Sequence, residues 1–276
     1  MPCPQPAEAL TEKEIQAFFE HGWITRRQLF TPAEVAEMRA SFDALEDHAA
    51  DLPGTGLHGG AHFVLSDRDG SQVIERIVWA GGFQWYLLGI GNDPRLTVPC
   101  SQLLGSEALD QLLNQAHFKR PGDGVSFDWH QDIQHRDKGN GTWTDVNGRG
   151  SYVQTLIVLD DMTPDSGPLK FMPGSGEWGR IDFSDPCPHG DCGPERSLYD
   201  CCQENAVTIE AAPGDVIFFG PYTAHASFEN QSDCYRRVLI NGYAHPGANH
   251  RVYAGSGTGR RLLAPSVPAT ALRQAF

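Results

Sequence analysis

The stretch PGDVIFFGPYTAHASFENQSDCYRRVLINGY, residues 213–243, carries the decision about the fold. An apolar run at 216–219 leads to His225, a polar N-Q-S-D turn follows at 230–233, and a second apolar run begins after Arg236 and Arg237. Short apolar runs bounded by turn residues read as strands. If Asn230 and Gln231 are the central turn residues, His225 and Arg236 stand directly opposite each other in an antiparallel hairpin, because their numbers are symmetric about that turn. Opposed residues share a face, with Cβ atoms about 5 Å apart. An imidazole and a guanidinium would then meet one cavity, spaced for a short dicarboxylate that chelates a metal at one end and meets a planar cationic fork at the other. Ser227 would face the same cavity and offer its hydroxyl to the distal carboxylate, whereas Arg237 should face away.

Working outward, the same texture holds from residue 121 onward. SYVQTLIVLDDM (151–162), PLKFMPGSGEW (168–178), AVTIEAAPGDVIFFG (206–220) and RRVLINGYAH (236–245) are short apolar runs, with P-D-S-G and A-P-G-D as turns between them. A strand-rich sandwich or barrel with its core at about 112–245 follows. Upstream, FDWHQDIQH (127–135) places His130 and Asp132 two residues apart, so on a strand both project from one face. With His225 added, two histidines and one carboxylate form a facial triad of the kind that leaves coordination positions open on iron(II). Gln131 points the other way and is given no metal role. A pair such as H-x-D carries little weight alone, since 11 histidines and 35 acidic residues make chance pairs common. The ordered set is what counts.

The chain opens with two helices in the region 11–48, each with a capping box, Thr11 with Glu14 and Thr31 with Glu34, the second with Pro32 at its first position. Residues 71–80 read as helix or strand, and 101–121 as a helix running into a strand. One domain over 1–276 accommodates these elements. Residues 181–205 form the one long irregular segment, rich in Pro, Gly and Asp, and are expected to act as a mobile lid. Cys187, Cys192, Cys201 and Cys202 gather there with His189, but the spacing is not a repeated C-x2-C pair, so a zinc site is the lesser reading.

Charge narrows the partners. Thirty-five acidic against 21 basic residues give −14, which disfavours the phosphate backbone of nucleic acids and tilts against polyanionic substrates unless a local basic pocket overrules it. The N-terminus lacks the pattern of a signal peptide and no apolar run approaches a membrane span, so a cytoplasmic protein without a membrane partner is expected. Nothing in the sequence sets the oligomeric state.

At these residues the chain resembles the phytanoyl-CoA dioxygenase family of iron(II)- and 2-oxoglutarate-dependent oxygenases. The likeness includes FFEHGWITRRQLFTPAEVAEMR (18–39), W-H-Q-D (129–132), T-P-D-S-G-P-L (163–169), M-P-G-S-G (172–176), P-G-D-V (213–216), H-A-S (225–227) and N-Q-S-D-C-Y-R-R (230–237). The resemblance implies a mainly β protein with flanking helices, a double-stranded β-helix of jelly-roll, cupin-like form. It implies that His130, Asp132 and His225 bind iron(II), that Arg236 and Ser227 bind 2-oxoglutarate, and that dioxygen is the oxidant. Family members also bring a polar residue from the preceding strand near the co-substrate. Here Gln115, His117 and Lys119 alternate onto one face, and Gln115 and Lys119 are the candidates. Because related halogenases lack the carboxylate that Asp132 supplies, its presence points to hydroxylation, and an acidic chain of this size fits a small free metabolite, such as an amino acid derivative or a natural-product intermediate, better than a coenzyme A thioester. Desaturation, epoxidation or ring closure on the same ligands, a cupin-like enzyme without co-substrate and a catalytically silent binding protein are the alternatives. Trp129, Trp143, His135 and Arg149 are candidates for the substrate mouth.

Overall fold

The computed structural model describes residues 8–68, 70–138, 141–187 and 196–265. In chain order the elements are α1 (Glu12–His21), β1 (Trp23–Arg26), α2 (Pro32–Ala50), β2 (Gly56–His58), β3 (Ala61–Arg68), β4 (Ser71–Val78), α3 (Trp85–Ile90) and α4 (Pro94–Leu104). There follow β5 (Ala108–His117), β6 (Phe127–His130), α5 (Asp132–Arg136), β7 (Tyr152–Val158), β8 (Lys170–Phe171), α6 (Leu198–Asn205) and β9 (Val207–Thr208). The chain ends in β10 (Val216–Phe219), β11 (His225–Ser227), β12 (Val238–Ala244) and β13 (Arg260–Leu263). Among the described residues no helix is long and apolar enough to cross a membrane.

Both expected capping boxes form. Thr11 and Thr31 accept from the backbone of Glu14 and Glu34, and each glutamate accepts from its threonine's backbone in return. Glu34 also takes two hydrogen bonds from the Arg95 guanidinium, which hold its carboxyl down from an ordinary 4.5 to about 2. A folded-state value below the unfolded one stabilises above pH 4.5, and that contribution fades as pH falls through about 2. Glu34→Gln should therefore flatten the acid limb of the stability curve. Thr31→Ala should cost about 1 kcal/mol, read from the urea midpoint, because one orphan helix N–H loses its acceptor.

Two antiparallel sheets face each other as a double-stranded β-helix. The larger runs β1-β10-β7-β12-β5-β4-β3-β2 with β13 also on β5, and the smaller runs β6-β11-β8-β9. β7 and β12 are buried at every position, which is why they read as mostly apolar runs, broken only by the buried Gln154 and Thr155 of β7 and Asn241 and Gly242 of β12. Val153, Ile157, Val216, Phe218 and Leu239 belong to one core cluster with Phe18, Val35, Met38 and Phe42 of α1 and α2. The alternate residues Leu156, Val158, Ile217, Phe219, Val238 and Ile240 form a second cluster with Leu169 and Phe171 from the small-sheet side. Fully burying one such side chain contributes about 1.5–3 kcal/mol. The first cluster thus fixes the helices on one face of the large sheet, and the second fills the space between its other face and the small sheet.

Of the two readings left open for residues 71–80 the strand is the one that forms, as β4 (Ser71–Val78), and with β3 it extends the large sheet beyond the expected core at 112–245. Two elements depart from the sequence reading. The helix before β5 starts earlier than residue 101, at Pro94, because Asp93 caps it. The segment 181–205 is not a polar loop throughout: α6 ends it and buries Leu198, Cys201 and Cys202.

Candidate metal centre and co-substrate pocket

Strands β6 and β11 are neighbours, and their register sets His130 directly opposite His225, with ring centroids 4.2 Å apart. His225 Nδ1 lies 2.8 Å from Thr223 O, and His130 Nδ1 lies 2.6 Å from Asp128 O. A carbonyl only accepts, so each Nδ1 carries the proton and each Nε2 is left as a ligand atom. Burial, helped by the neighbouring His130, holds His225 far below the ordinary imidazole range. The neutral ring is the form that binds metal.

His130 and Asp132 do not share a strand, contrary to the H-x-D reading. β6 ends at His130, the backbone stays extended through Gln131, which is the N-cap, and Asp132 opens α5. Convergence survives because the helix entry is pinned from outside. Gln131 Nε2 donates to Tyr222 O at 2.6 Å and to Gly179 O at 2.8 Å, its Oε1 accepts from Ile181 N at 3.1 Å, and Ile133 N donates to Pro221 O at 3.0 Å. Gln131 is a tether that does not line the cavity, consistent with its having no metal role. The ligand atoms of His130, Asp132 and His225 lie within 4.8 Å of one another, a grouping of His, Cys, Asp or Glu found nowhere else among the described residues. Asp132 Oδ2 is buried without a hydrogen-bond partner. An open carboxylate oxygen beside two imidazole Nε2 atoms fits a divalent cation, which would satisfy all three at once.

The expected hairpin between His225 and Arg236 does not exist. β11 pairs with β6 and β8 in the small sheet while β12 pairs with β5 and β7 in the large one, so residues 228–237 cross between sheets. Asn230 is buried and pins that crossover, donating to Lys119 O at 2.9 Å and Cys234 O at 2.7 Å. Arg236 reaches the same cavity from the facing sheet. It exchanges backbone hydrogen bonds with Lys119 at 3.0 and 3.1 Å, continuing the β5–β12 ladder, and its Nη2 donates to Ser227 Oγ and Gly167 O at 2.7 Å each. Burial pushes the guanidinium down to about 10, still cationic at neutral pH, and its Nε is buried without a partner.

Ser227 lines the cavity, but its hydroxyl proton goes to Gly167 O at 3.0 Å, so it accepts from Arg236 and Lys119 and is not the free donor that was expected. Lys119 lies behind Ser227, outside the lining, and donates to Ser227 O at 2.7 Å, Ser227 Oγ at 2.8 Å and Phe228 O. Burial, then the charge of Arg236, pushes its amine down to about 5. Gln115 lines the cavity with its Oε1 2.9 Å from His117 Nε2. Arg237 faces away as expected, paired to Asp160 at 2.8 Å and Asp43 at 2.7 Å.

These groups share a cavity of about 490 Å³. Of the four mouth candidates only His135 lines it. Trp129 packs with Met172, Leu198, Cys201 and Cys202, Trp143 packs with Ile133 and Tyr152, and Arg149 lies over the Phe19 ring at 4.0 Å. Ile181, Phe183 and Cys187 join the Trp129 cluster, so the described ends of the 181–205 segment pack beside α6 and contribute nothing to the cavity lining. Residues 188–195, with His189 and Cys192, lie outside the described residues, and the lid and zinc readings fall partly on them. The sequence reading missed His62 and Arg76 on β3 and β4, and Arg136, Arg251 and Tyr253. For the first two a signal was present, since the dipeptide Asp-Gly at 69–70 between two apolar stretches is a hairpin signal in the sequence.

The chain is 26% identical over 239 residues to the ectoine dioxygenase of Bordetella bronchiseptica, covering 82% of this chain and 72% of that one. It is 28% identical over 116 residues to the L-proline trans-4-hydroxylase of Streptomyces griseoviridis, covering 41% and 40% respectively. Among solved structures, EctD from S. alaskensis in its apo form superposes with a TM-score of 0.70 at 22% identity, over 95% of this chain and 90% of that one, which speaks for the fold. The model of the phytanoyl-CoA dioxygenase (PhyH) family matches residues 18–238, a span that includes every metal and co-substrate candidate above. On that match the chain belongs to the phytanoyl-CoA dioxygenase family and is an iron(II)- and 2-oxoglutarate-dependent oxygenase.

Proposed function

We propose that His130, Asp132 and His225 are the three protein ligands of iron(II), and that Arg236 binds the distal carboxylate of 2-oxoglutarate, with Ser227 and Lys119 orienting it and Gln115 alongside. The enzyme then hydroxylates an unactivated C–H bond of a small metabolite, releasing succinate and carbon dioxide. Bound iron(II) supplies the activation of dioxygen that this oxidation needs. The chain's own residues position the reactants. Two backbone carbonyls fix the imidazole tautomers, Gln131 fixes the helix entry that aims Asp132, and the Ser227–Gly167 pair fixes the guanidinium. Apolar walls from Leu156, Leu169, Phe219, Val238 and Ile240 keep that part of the cavity dry.

The observation that carries this reading is the open Asp132 oxygen facing two oriented imidazoles. An intact carboxylate also leaves no ligand position for halide, which favours hydroxylation. Succinate formation under air with iron(II), ascorbate and a panel of small metabolites tests it. One or more metabolites should raise succinate above the uncoupled background and gain one oxygen atom by mass. Absence of both iron binding and 2-oxoglutarate consumption would leave only a silent binding protein.

A further inference from the structure

Ten arginines among the described residues sit in ion pairs with aspartate or glutamate, as a chain of net charge −14 allows. None of the ten lines the cavity. The four that do, Arg76, Arg136, Arg236 and Arg251, form no ion pair within the described residues, and Lys138 joins them, while Asp132 is the only carboxylate in the lining among the described residues. The Nε atoms of Arg136, Arg236 and Arg251 are all buried with no hydrogen-bond partner. Guanidiniums that line one cavity with no ion pair and an incomplete set of hydrogen bonds fit an anionic acceptor that the protein does not supply.

Arg236 is accounted for by the co-substrate. Arg136 and Arg251 are not, and they stand at the other end of the cavity. Arg236 precedes the start of β12, whereas Arg136 lies 4.9 Å from the ring of Tyr152, whose hydroxyl crowds Gly242 near the end of that strand. Arg136 is 5% exposed, stands 5.3 Å from the ring of Tyr253 and donates from Nη1 to Tyr253 Oη at 3.2 Å. Arg251 lies over the same Tyr253 ring at 4.2 Å. Two guanidiniums thus share one phenol with no carboxylate between them. With iron(II), Asp132 and a doubly negative 2-oxoglutarate in place, Arg236 brings the sum of these charges to zero, and Arg136 and Arg251 still lack a counter-charge.

We propose that Arg136 and Arg251, with the Tyr253 hydroxyl, bind a carboxylate of the molecule being oxidised, so that the substrate is a small organic acid held at the end of the cavity remote from Arg236. This rests on the reading of iron and 2-oxoglutarate given above. A planar guanidinium edge matches a planar carboxylate in two parallel hydrogen bonds, and the aromatic rings hold that edge in place before binding. A cavity of about 490 Å³ shared with a co-substrate has room for a small acid. The basic lining also overrules the net negative charge of the protein.

The test uses protein loaded anaerobically with iron(II) and 2-oxoglutarate, titrated calorimetrically with benzoate and with its neutral isostere benzamide. Benzoate should bind about tenfold more tightly or better, the worth of a charge-assisted pair. Arg136→Gln and, separately, Arg251→Gln should bring the ratio toward one, Arg136→Lys should keep part of it, and the 2-oxoglutarate charge-transfer titration should be unchanged in all three. Arg136 is buried and its variants can misfold, so the wild-type ratio and the half-buried Arg251 carry the test alone if needed. Equal affinities, undetectable benzoate binding, tighter binding of phenyl phosphate, or a ratio untouched in both glutamine variants would overturn the assignment. A missing charge-transfer band in the wild type would instead sink the iron and 2-oxoglutarate reading.

Discussion

His225→Ala should abolish iron(II) binding, the visible charge-transfer band formed with 2-oxoglutarate under argon, and all turnover. No other described His, Cys, Asp or Glu stands close enough to take its place beside His130 and Asp132. Asp132→Ala should give the same functional loss with an opposite sign in the metal-free protein. Its Oδ2 is buried without a partner, and an unsatisfied buried acceptor costs about 1–3 kcal/mol, so removing it should leave the apo protein as stable as the wild type or more so. Loading with iron(II) and 2-oxoglutarate should raise the wild-type Tm, by the linkage that gives about 2.7 kcal/mol at a hundredfold excess over Kd, and should leave both variants where they are. Thermal scans with and without metal check this. Full activity in the His225 variant would remove that residue from the ligand set, and a destabilised apo Asp132→Ala would mean the carboxylate has a structural partner.

The sequence made the members of the site legible but not the geometry that joins them. His130 and Asp132 were read as strand neighbours, yet they converge through a strand end and a helix start, and the residue that tethers that junction is Gln131, which was given no part. His225 and Arg236 were read as a hairpin because their numbers are symmetric about Asn230 and Gln231. Local turn chemistry reports that the chain reverses; it does not report whether the returning strand joins the same sheet or the facing one. In a two-sheet barrel the two outcomes put the same side chains into the same cavity. The capping boxes and the central strands were readable because their signals are local or strictly periodic. The basic wall was not, since Arg76, Arg136 and Arg251 lie on three segments far apart in the chain, and only the tertiary fold shows that, among the described residues, no carboxylate but Asp132 lines the cavity with them.

Arg236→Ala should raise the 2-oxoglutarate requirement by roughly tenfold to a hundredfold while leaving the rate at saturation largely intact, because a hydrogen-bonded pair with a charged group contributes about 1.5–3 kcal/mol to binding. Lys119 sets where in that range the result falls. Its amine is pushed down to about 5, first by burial and then by the charge of Arg236, so deleting the guanidinium removes one of the two causes. The amine regains basicity beside Ser227 and becomes a substitute cation for the distal carboxylate. The single variant should therefore fall toward the tenfold end, and Arg236→Ala combined with Lys119→Met should lose far more than the two single changes added together. Arg237→Ala provides the control. That side chain is bound to Asp160 and Asp43 away from the cavity, the Asp160 pair being largely buried, so its loss should cost stability of about 1.5–3 kcal/mol and leave 2-oxoglutarate affinity alone. Titration of the charge-transfer band in all four variants separates these effects. A larger co-substrate defect in the Arg237 variant than in the Arg236 variant would reverse the assignment, and strict additivity in the double variant would show that Lys119 never stands in.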